Sequence, residues 1–334
     1  MNCHRPMAIA AIAFFVVLSV SVAFISADSE ESDGVVNDIF TSGNFIYRVT
    51  VEDDGIWIIT DDDYQVEVMD YTGSSSTVSI PTSVTGPNGK TYRVTAIAEN
   101  GFRDDRGFDT VNIASSVTEI KHDAFSECPD LKTVTIPSSV TTIGEYAFSD
   151  SAIESVHLYS NVSSIGHGAF TNCPDLGSIT VESGNSRYGT YNGILYAKDL
   201  SVVIACPGDY KGTVDLSNLR VTAIGADAFY GCTGVAGVTF SSSLTTISIQ
   251  AFRESGVQSV TIPYSVTTIE GSAFYGCPYL RSVTISYGVT EIGDDVFTNC
   301  PALMSISVDP TNRNYSSDLN GILYNADKTV LIRC

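Results

Sequence analysis

"TIPSSVTTIGEYAF", Thr135 to Phe148, returns as "TIPYSVTTIEGSAF", Thr261 to Phe274, and in looser form elsewhere along the chain. Aligning on the phenylalanine that closes the phrase picks out Phe102, Phe125, Phe148, Phe170, Phe229, Phe252, Phe274 and Phe297, at steps of 22 or 23 residues apart from one step of 59. A second register keeps the same step: Val111/Ile113, Val134/Ile136, Val156/Leu158, Ile179/Val181, Val238/Phe240, Val260/Ile262, Val283/Ile285 and Ile306/Val308. Two independent registers at one period define a repeat architecture. The Val-x-Ile core alternates with period 2, so it is a short strand with its apolar side chains inward. Where proline follows, as at Pro137 and Pro263, it ends the strand because it cannot donate to a ladder. So short a strand cannot bury a face alone, and successive units must stack and pair in parallel. The expectation is a mainly β, right-handed solenoid with one coil every 23 residues or so.

Each unit runs as "LxxVxIP", then "SVTxIG", then "AFxxC". These motifs resemble the BspA-like, or Treponema-type, leucine-rich repeats over roughly residues 92 to 334. The resemblance implies a leucine-rich-repeat solenoid on a secreted or surface protein that binds other macromolecules, with no catalytic residues to carry over. The preceding "SGNFIYRVTVEDDGIWIITDDDYQVEVMDYTGSSSTVSIPTSV" looks like the β-hairpin lead-in that caps such solenoids. The long step between Phe170 and Phe229 holds one ordinary unit and about 36 further residues. Within them "YNGILYAKDLSVVIAC", Tyr191 to Cys206, matches "LNGILYNADKTVLIRC", Leu319 to Cys334. Both copies read as strand, polar turn, strand, hence as small hairpins inserted near 185–212 and 313–334. The second would cap the last coil, or the natural chain continues beyond it.

Residues 1–27 carry Arg5, an uncharged run from Met7 to Ile25 and a small residue, Ala27, before the acidic "DSEESD". This is an export segment, cleaved before Asp28 or kept as an N-terminal anchor. Residues 28–91 then form an acidic linker and hairpin cap. Among 334 residues 43% are hydrophobic and 16% charged, enough apolar content for a folded chain. Acidic residues outnumber basic ones by 38 to 17, for a net charge of −21, which opposes nucleic acid and anionic lipid.

Catalysis and cofactors find no support. The four histidines include no HExxH pair, no serine lies in a GxSxG elbow, and His122 and His167 fall at variable positions ahead of Phe125 and Phe170, where solvent-facing corners are expected. Five of the eight cysteines, Cys128, Cys173, Cys232, Cys277 and Cys300, lie three residues after a repeat phenylalanine, with Ser151 and Ser255 in their place in two units. Of these only Cys277 and Cys300 fall in adjacent coils. Buried free thiols are therefore expected rather than disulfides, and the absence of CxxC pairs argues against zinc. Asp53-Asp54, Asp61 to Asp63 and Asp104-Asp105 lack the spacing of a calcium loop and read as solvated turns. Asn161 and Asn314 head glycosylation triplets.

The remaining candidate is the strand face. Its outward mid-strand residues, Asn112, Thr135, His157, Thr180, Thr239, Thr261, Thr284 and Ser307, form a near-continuous row rich in threonine, flanked by Lys132, Thr133, Glu154 and Arg281. Tyr159, Tyr264 and Tyr287 follow the strands at the rim and are the expected anchors. Threonine also favours strands for structural reasons alone. The function expected is adhesin-like binding of extracellular proteins or glycans at the cell surface or outside the cell, without enzymatic activity. The alternative is an architectural, self-associating surface spacer, with Cys334 as a possible cross-link.

Overall fold

The computed structural model describes residues 37–51, 64–329 and 331–333. The segment expected to direct export, the aspartates at 53–54 and 61–63, and Cys334 lie outside the described residues. Among the described residues there is no helix, and the chain is a parallel β-solenoid. The Val-x-Ile strands form one face, numbered β1 (Thr77–Ser79), β2 (Thr110–Asn112), β3 (Thr133–Thr135), β4 (Ser155–Leu158), β5 (Ser178–Val181), β6 (Gly212–Asp215), β7 (Val235–Thr239), β8 (Ser259–Ile262), β9 (Ser282–Ile285) and β10 (Ser305–Val308).

A second strand in each coil was not expected. The "TxIG" segment forms two-residue strands such as Thr142–Ile143, which pairs in parallel with Glu119–Ile120 on one side and Ser164–Ile165 on the other. Two parallel sheets therefore run along the solenoid instead of one. The lead-in joins the second of them. Its hairpin of Ile39–Ser42 and Phe45–Val51 continues antiparallel into Gln65–Tyr71, which pairs in parallel with Thr91–Ile97 and so with the first short strand. The face series starts inside the stretch expected to be cap, since β1 pairs in parallel with β2.

The phenylalanines form the spine of the core. Phe102, Phe125, Phe148 and Phe170 stack at 5.0, 5.4 and 5.9 Å, and Phe229, Phe252, Phe274 and Phe297 at 4.8, 5.0 and 5.7 Å. Every corner that carries such a ring turns on two left-handed residues, two before and two after it, as Asp123 and Glu127 flank Phe125. The N–H groups of Asp123, Phe125 and Glu127 reach the next coil's carbonyls at 3.0, 2.7 and 2.8 Å, so the corner is a third ladder. The conformation persists at Tyr146 and Ser272 without glycine, because the stacked neighbours fix it.

The long step resolves differently from the sequence reading. Val203 pairs with Ile224, and the Cys206 N–H reaches the Ala228 carbonyl at 2.7 Å, the bond that Phe125 makes to Ala147. Residues 202–222 are therefore a full coil in which Cys206 replaces the phenylalanine, with β6 as its face strand. Only the remaining part of the step, near 186–200, is insertion. It builds a three-strand antiparallel meander, Tyr188–Tyr191, Ile194–Ala197 and Val202–Ala205, and Tyr315–Ser317, Leu323–Asn325 and Leu331–Arg333 repeat it.

One side-chain device anchors both meanders. The buried Asn185 amide donates to the Tyr159 and Val162 carbonyls at 2.9 Å, and its Oδ1 accepts the Arg187 and Tyr188 N–H groups at 2.8 Å. Asn312 makes the matching four bonds. The Tyr188 hydroxyl accepts the Ile165 N–H, and the Tyr315 hydroxyl the Ile292 N–H, at the short strands where each sheet ends.

Candidate functional site

The strand face exposes what the pattern placed there. Lys132, Thr133, Thr135, Glu154, His157, Thr180, Thr239, Thr261, Arg281 and Thr284 are all exposed. The row they form is less continuous than expected, because face pairing is confined to β1–β3, β4–β5, β6–β7 and β8–β10. Within a segment the register is regular: Thr261, Thr284 and Ser307 are successive partners in β8, β9 and β10. The Thr135 hydroxyl donates to Asn112 Oδ1 at 3.1 Å, and His157 Nδ1 lies 2.9 Å from the Thr180 hydroxyl, so part of the row satisfies itself across strands. The structure also puts Asp215 in this row, opposite Thr239. Sequence reading missed it because its coil passed for insertion. Its carboxylate accepts the Ser217 N–H at 2.9 Å, and hydrogen bonding from the Ser217 side chain, then from that N–H, holds it below the usual carboxylate range.

The rim tyrosines divide. Tyr264 and Tyr287 are more than half exposed and stack at 6.1 Å with an 11° interplanar angle, leaving a two-ring apolar surface in solvent. Tyr159 is half-buried and meets His157 edge-on at 4.6 Å, so it does not extend that surface.

A groove opens on the face where β6, β7 and β8 meet. Its volume is about 650 Å³, and its lining carries Thr213, Gln258, Ser259 and Thr261 above Val238 and Phe240. Two departures in β7 create it. Thr213 pairs with Gly237 while Gly212 pairs with Val235, so Ala236 is an extra, bulged residue. Beyond it, β7 and β8 share no ladder.

Away from the face, polar side chains also bridge one coil to the next. His167 is half exposed, as a corner residue should be, yet it is not merely solvent-facing: Nδ1 lies 2.9 Å from the buried Asp227 carboxylate and Nε2 3.3 Å from Glu145, while the Tyr146 hydroxyl reaches Asp227 at 3.3 Å. These bonds span the interruption in the repeat. Cys128, Cys173, Cys206, Cys232, Cys277 and Cys300 are buried and unbridged. The thiols of Cys128, Cys173, Cys277 and Cys300 each donate to the carbonyl of the preceding coil's phenylalanine, at 2.9 to 3.1 Å, and Cys232 reaches the Cys206 carbonyl at 3.4 Å. Cys206 and Cys232 are thus a second adjacent pair, which the sequence reading did not recognise. Burial pushes the Cys128 and Cys173 thiols up to about 12. Among the described residues no group of three or more histidine, cysteine or acidic side chains is placed to hold a metal. Asp105 is half-buried, not a solvated turn residue as expected.

Residues 74–192 and 212–319 match the BspA type leucine rich repeat region, in six copies. Comparison with curated protein sequences gives no match. Among solved structures, the pneumococcal vaccine antigen PcpA superposes with a TM-score of 0.61 at 20% identity, covering 84% of each chain. A leucine-rich repeat protein from Eubacterium ventriosum gives 0.51 at 22% identity, covering 80% of this chain and 70% of that one. At these identities the likeness is one of fold.

Proposed function

The chain belongs to the BspA-type leucine-rich repeat family, and we propose that it is a secreted or cell-surface member that recognises extracellular proteins or glycans through its strand face, without enzymatic chemistry. The observation that carries this reading is the face itself: an exposed, hydroxyl-rich parallel sheet in register over β8, β9 and β10, with stacked, solvent-facing tyrosines at its rim. Such a surface makes many weak hydrogen bonds at once and gains affinity by multiplying them. Exposed aromatic rings supply the anchors that dominate recognition energy. The uncharged run from Met7 to Ile25 supplies a route out of the cell.

The test is binding of the full chain to extracellular matrix proteins, mucins and whole microbial cells, alongside a variant with Thr135, Thr180, Thr261 and Thr284 all changed to glutamate. Saturable binding that the variant loses supports the reading. Binding that the variant keeps moves recognition off the face, and oligomers with no binding to any target favour the self-associating alternative.

A further inference from the structure

The groove between β6, β7 and β8 opens where the face strands depart from their own pattern, and one residue accounts for it. The position just before the inward valine or isoleucine of each face strand carries serine or threonine from Thr77 in β1 to Ser305 in β10, except in β7, where it is Gly237. Glycine is not needed there for its backbone, since Gly237 is absent from the positive-φ residues. A Cβ added to it would meet only Thr213, with Oγ1 at 3.7 Å and Cγ2 at 3.8 Å, which is ordinary contact. The coil thus breaks its own rule at a place where a side chain would fit, and it adds the Ala236 bulge at the same point. Departures from an otherwise consistent pattern mark functional positions.

The lining specifies the ligand. At about 650 Å³ the groove is of the size that takes a small ligand or a few units of a chain. None of its ten lining residues is charged, although the chain as a whole carries −21. The walls offer the hydroxyls of Thr213, Thr239, Ser259 and Thr261 and the amide of Gln258, groups that both donate and accept. The floor is apolar, from Ala236, Val238 and Phe240. Pro263 closes one end and leads directly to Tyr264, whose ring stacks on Tyr287. A pyranose has the complementary surface: a rim of neutral hydroxyls that both donate and accept, and a face of C–H bonds that packs on aromatic rings. Anionic polymers are opposed by the acidic chain, and a cationic peptide finds no carboxylate in the groove. Asp215, the register partner of Thr239, has its carboxylate bound to the Ser217 N–H.

We propose that this groove binds a neutral saccharide chain, with Gly237 leaving room for a ring and Tyr264 and Tyr287 stacking on the next. This rests on the strand-face reading of function and names the ligand class for one part of it. The experiment measures binding of the full chain to hexasaccharides of N-acetylglucosamine, mannose and glucose by calorimetry, with a heparin hexasaccharide as the anionic control. Two variants accompany it: Gly237→Thr, which restores the residue type of the other coils, and Tyr264→Ala/Tyr287→Ala at the exposed rim. The expected result is saturable binding of at least one neutral hexasaccharide, none of heparin, weakening of about tenfold or more in Gly237→Thr as the site fills, and about 30-fold in the tyrosine pair as for a lost hot spot. Thermal melts unchanged from the parent show that both variants fold. Binding of no neutral hexasaccharide, or equal binding by Gly237→Thr, overturns the proposal. Whole-cell binding scores the broader reading separately: cell binding without binding of any neutral hexasaccharide removes the groove assignment alone, whereas no binding to cells or sugars removes both.

Discussion

Replacing Phe252 by alanine should cost about 4–5 kcal/mol, and replacing Phe297 about 3 kcal/mol. Phe252 is fully buried, with Phe229 and Phe274 stacked on its two faces at 4.8 and 5.0 Å and Phe240 edge-on at 6.0 Å. Phe297 is also buried but has one ring partner, Phe274, at 5.7 Å. The part of a phenylalanine that alanine lacks keeps on the order of 100 Å² of apolar surface from water, roughly 2.5 kcal/mol at 25 cal/mol per Å². Each aromatic pair adds about 0.5–1.5 kcal/mol beyond that area. The gap between the two sites, about 1–2 kcal/mol, therefore measures the additional ring contacts of Phe252, the second stacked neighbour above all, rather than burial. Urea unfolding of both variants, followed by far-ultraviolet circular dichroism, gives the two losses, with unchanged slopes required for comparison because repeat arrays can depart from two-state behaviour. Losses within about 0.3 kcal/mol of each other, inside the error of such comparisons, would refute the claim that each coil is held by its neighbours on both sides.

Three further outcomes follow from individual groups. Burial, with Asp70 and Asp104 adding to it, pushes the Asp105 carboxyl up to about 6. The folded chain therefore holds a proton that the unfolded chain has already lost between the usual carboxylate range and about pH 6, so this group's contribution to stability falls as pH rises through that window. Asp105→Asn should remove that slope and raise stability above pH 7 by about 1 kcal/mol, allowing for solvent screening of a half-exposed group; an unchanged pH profile would contradict it. The buried thiols should not react with a disulfide reagent at pH 8 until the chain is unfolded, and fast labelling of Cys128 or Cys173 in the folded protein would contradict their placement. Asn185→Ala strips four hydrogen bonds from the junction of coil and meander, for a loss of about 3 kcal/mol in urea unfolding; a variant as stable as the parent would show that water replaces them.

The period of the solenoid was legible because Phe102 to Phe297 and the Val-x-Ile pairs keep one step in two registers. The two-residue strands of the second sheet were not, since Thr142–Ile143 is too short to show an alternation. The coil at 202–222 escaped notice because Cys206 stands where the pattern looks for phenylalanine, and only its bond to Ala228 reveals the equivalence. Left-handed corners at Tyr146 and Ser272 carry no signal in residue type, as stacking imposes them. Exposure of the threonine face followed directly from strand periodicity. The groove did not, although "VAGVTF" beside "SVTIP" held the clue: a glycine in place of serine and a shifted valine. Lining up the face strands against one another would have found Gly237.

Amide hydrogen exchange of the full chain, free and bound to whichever extracellular protein or glycan it retains, tests most directly whether recognition lies on the strand face. The account predicts slowed exchange confined to β6 through β10 and the rim after β8 and β9. Protection confined to the lead-in, the meanders or the phenylalanine corners, with the face unchanged, would contradict it.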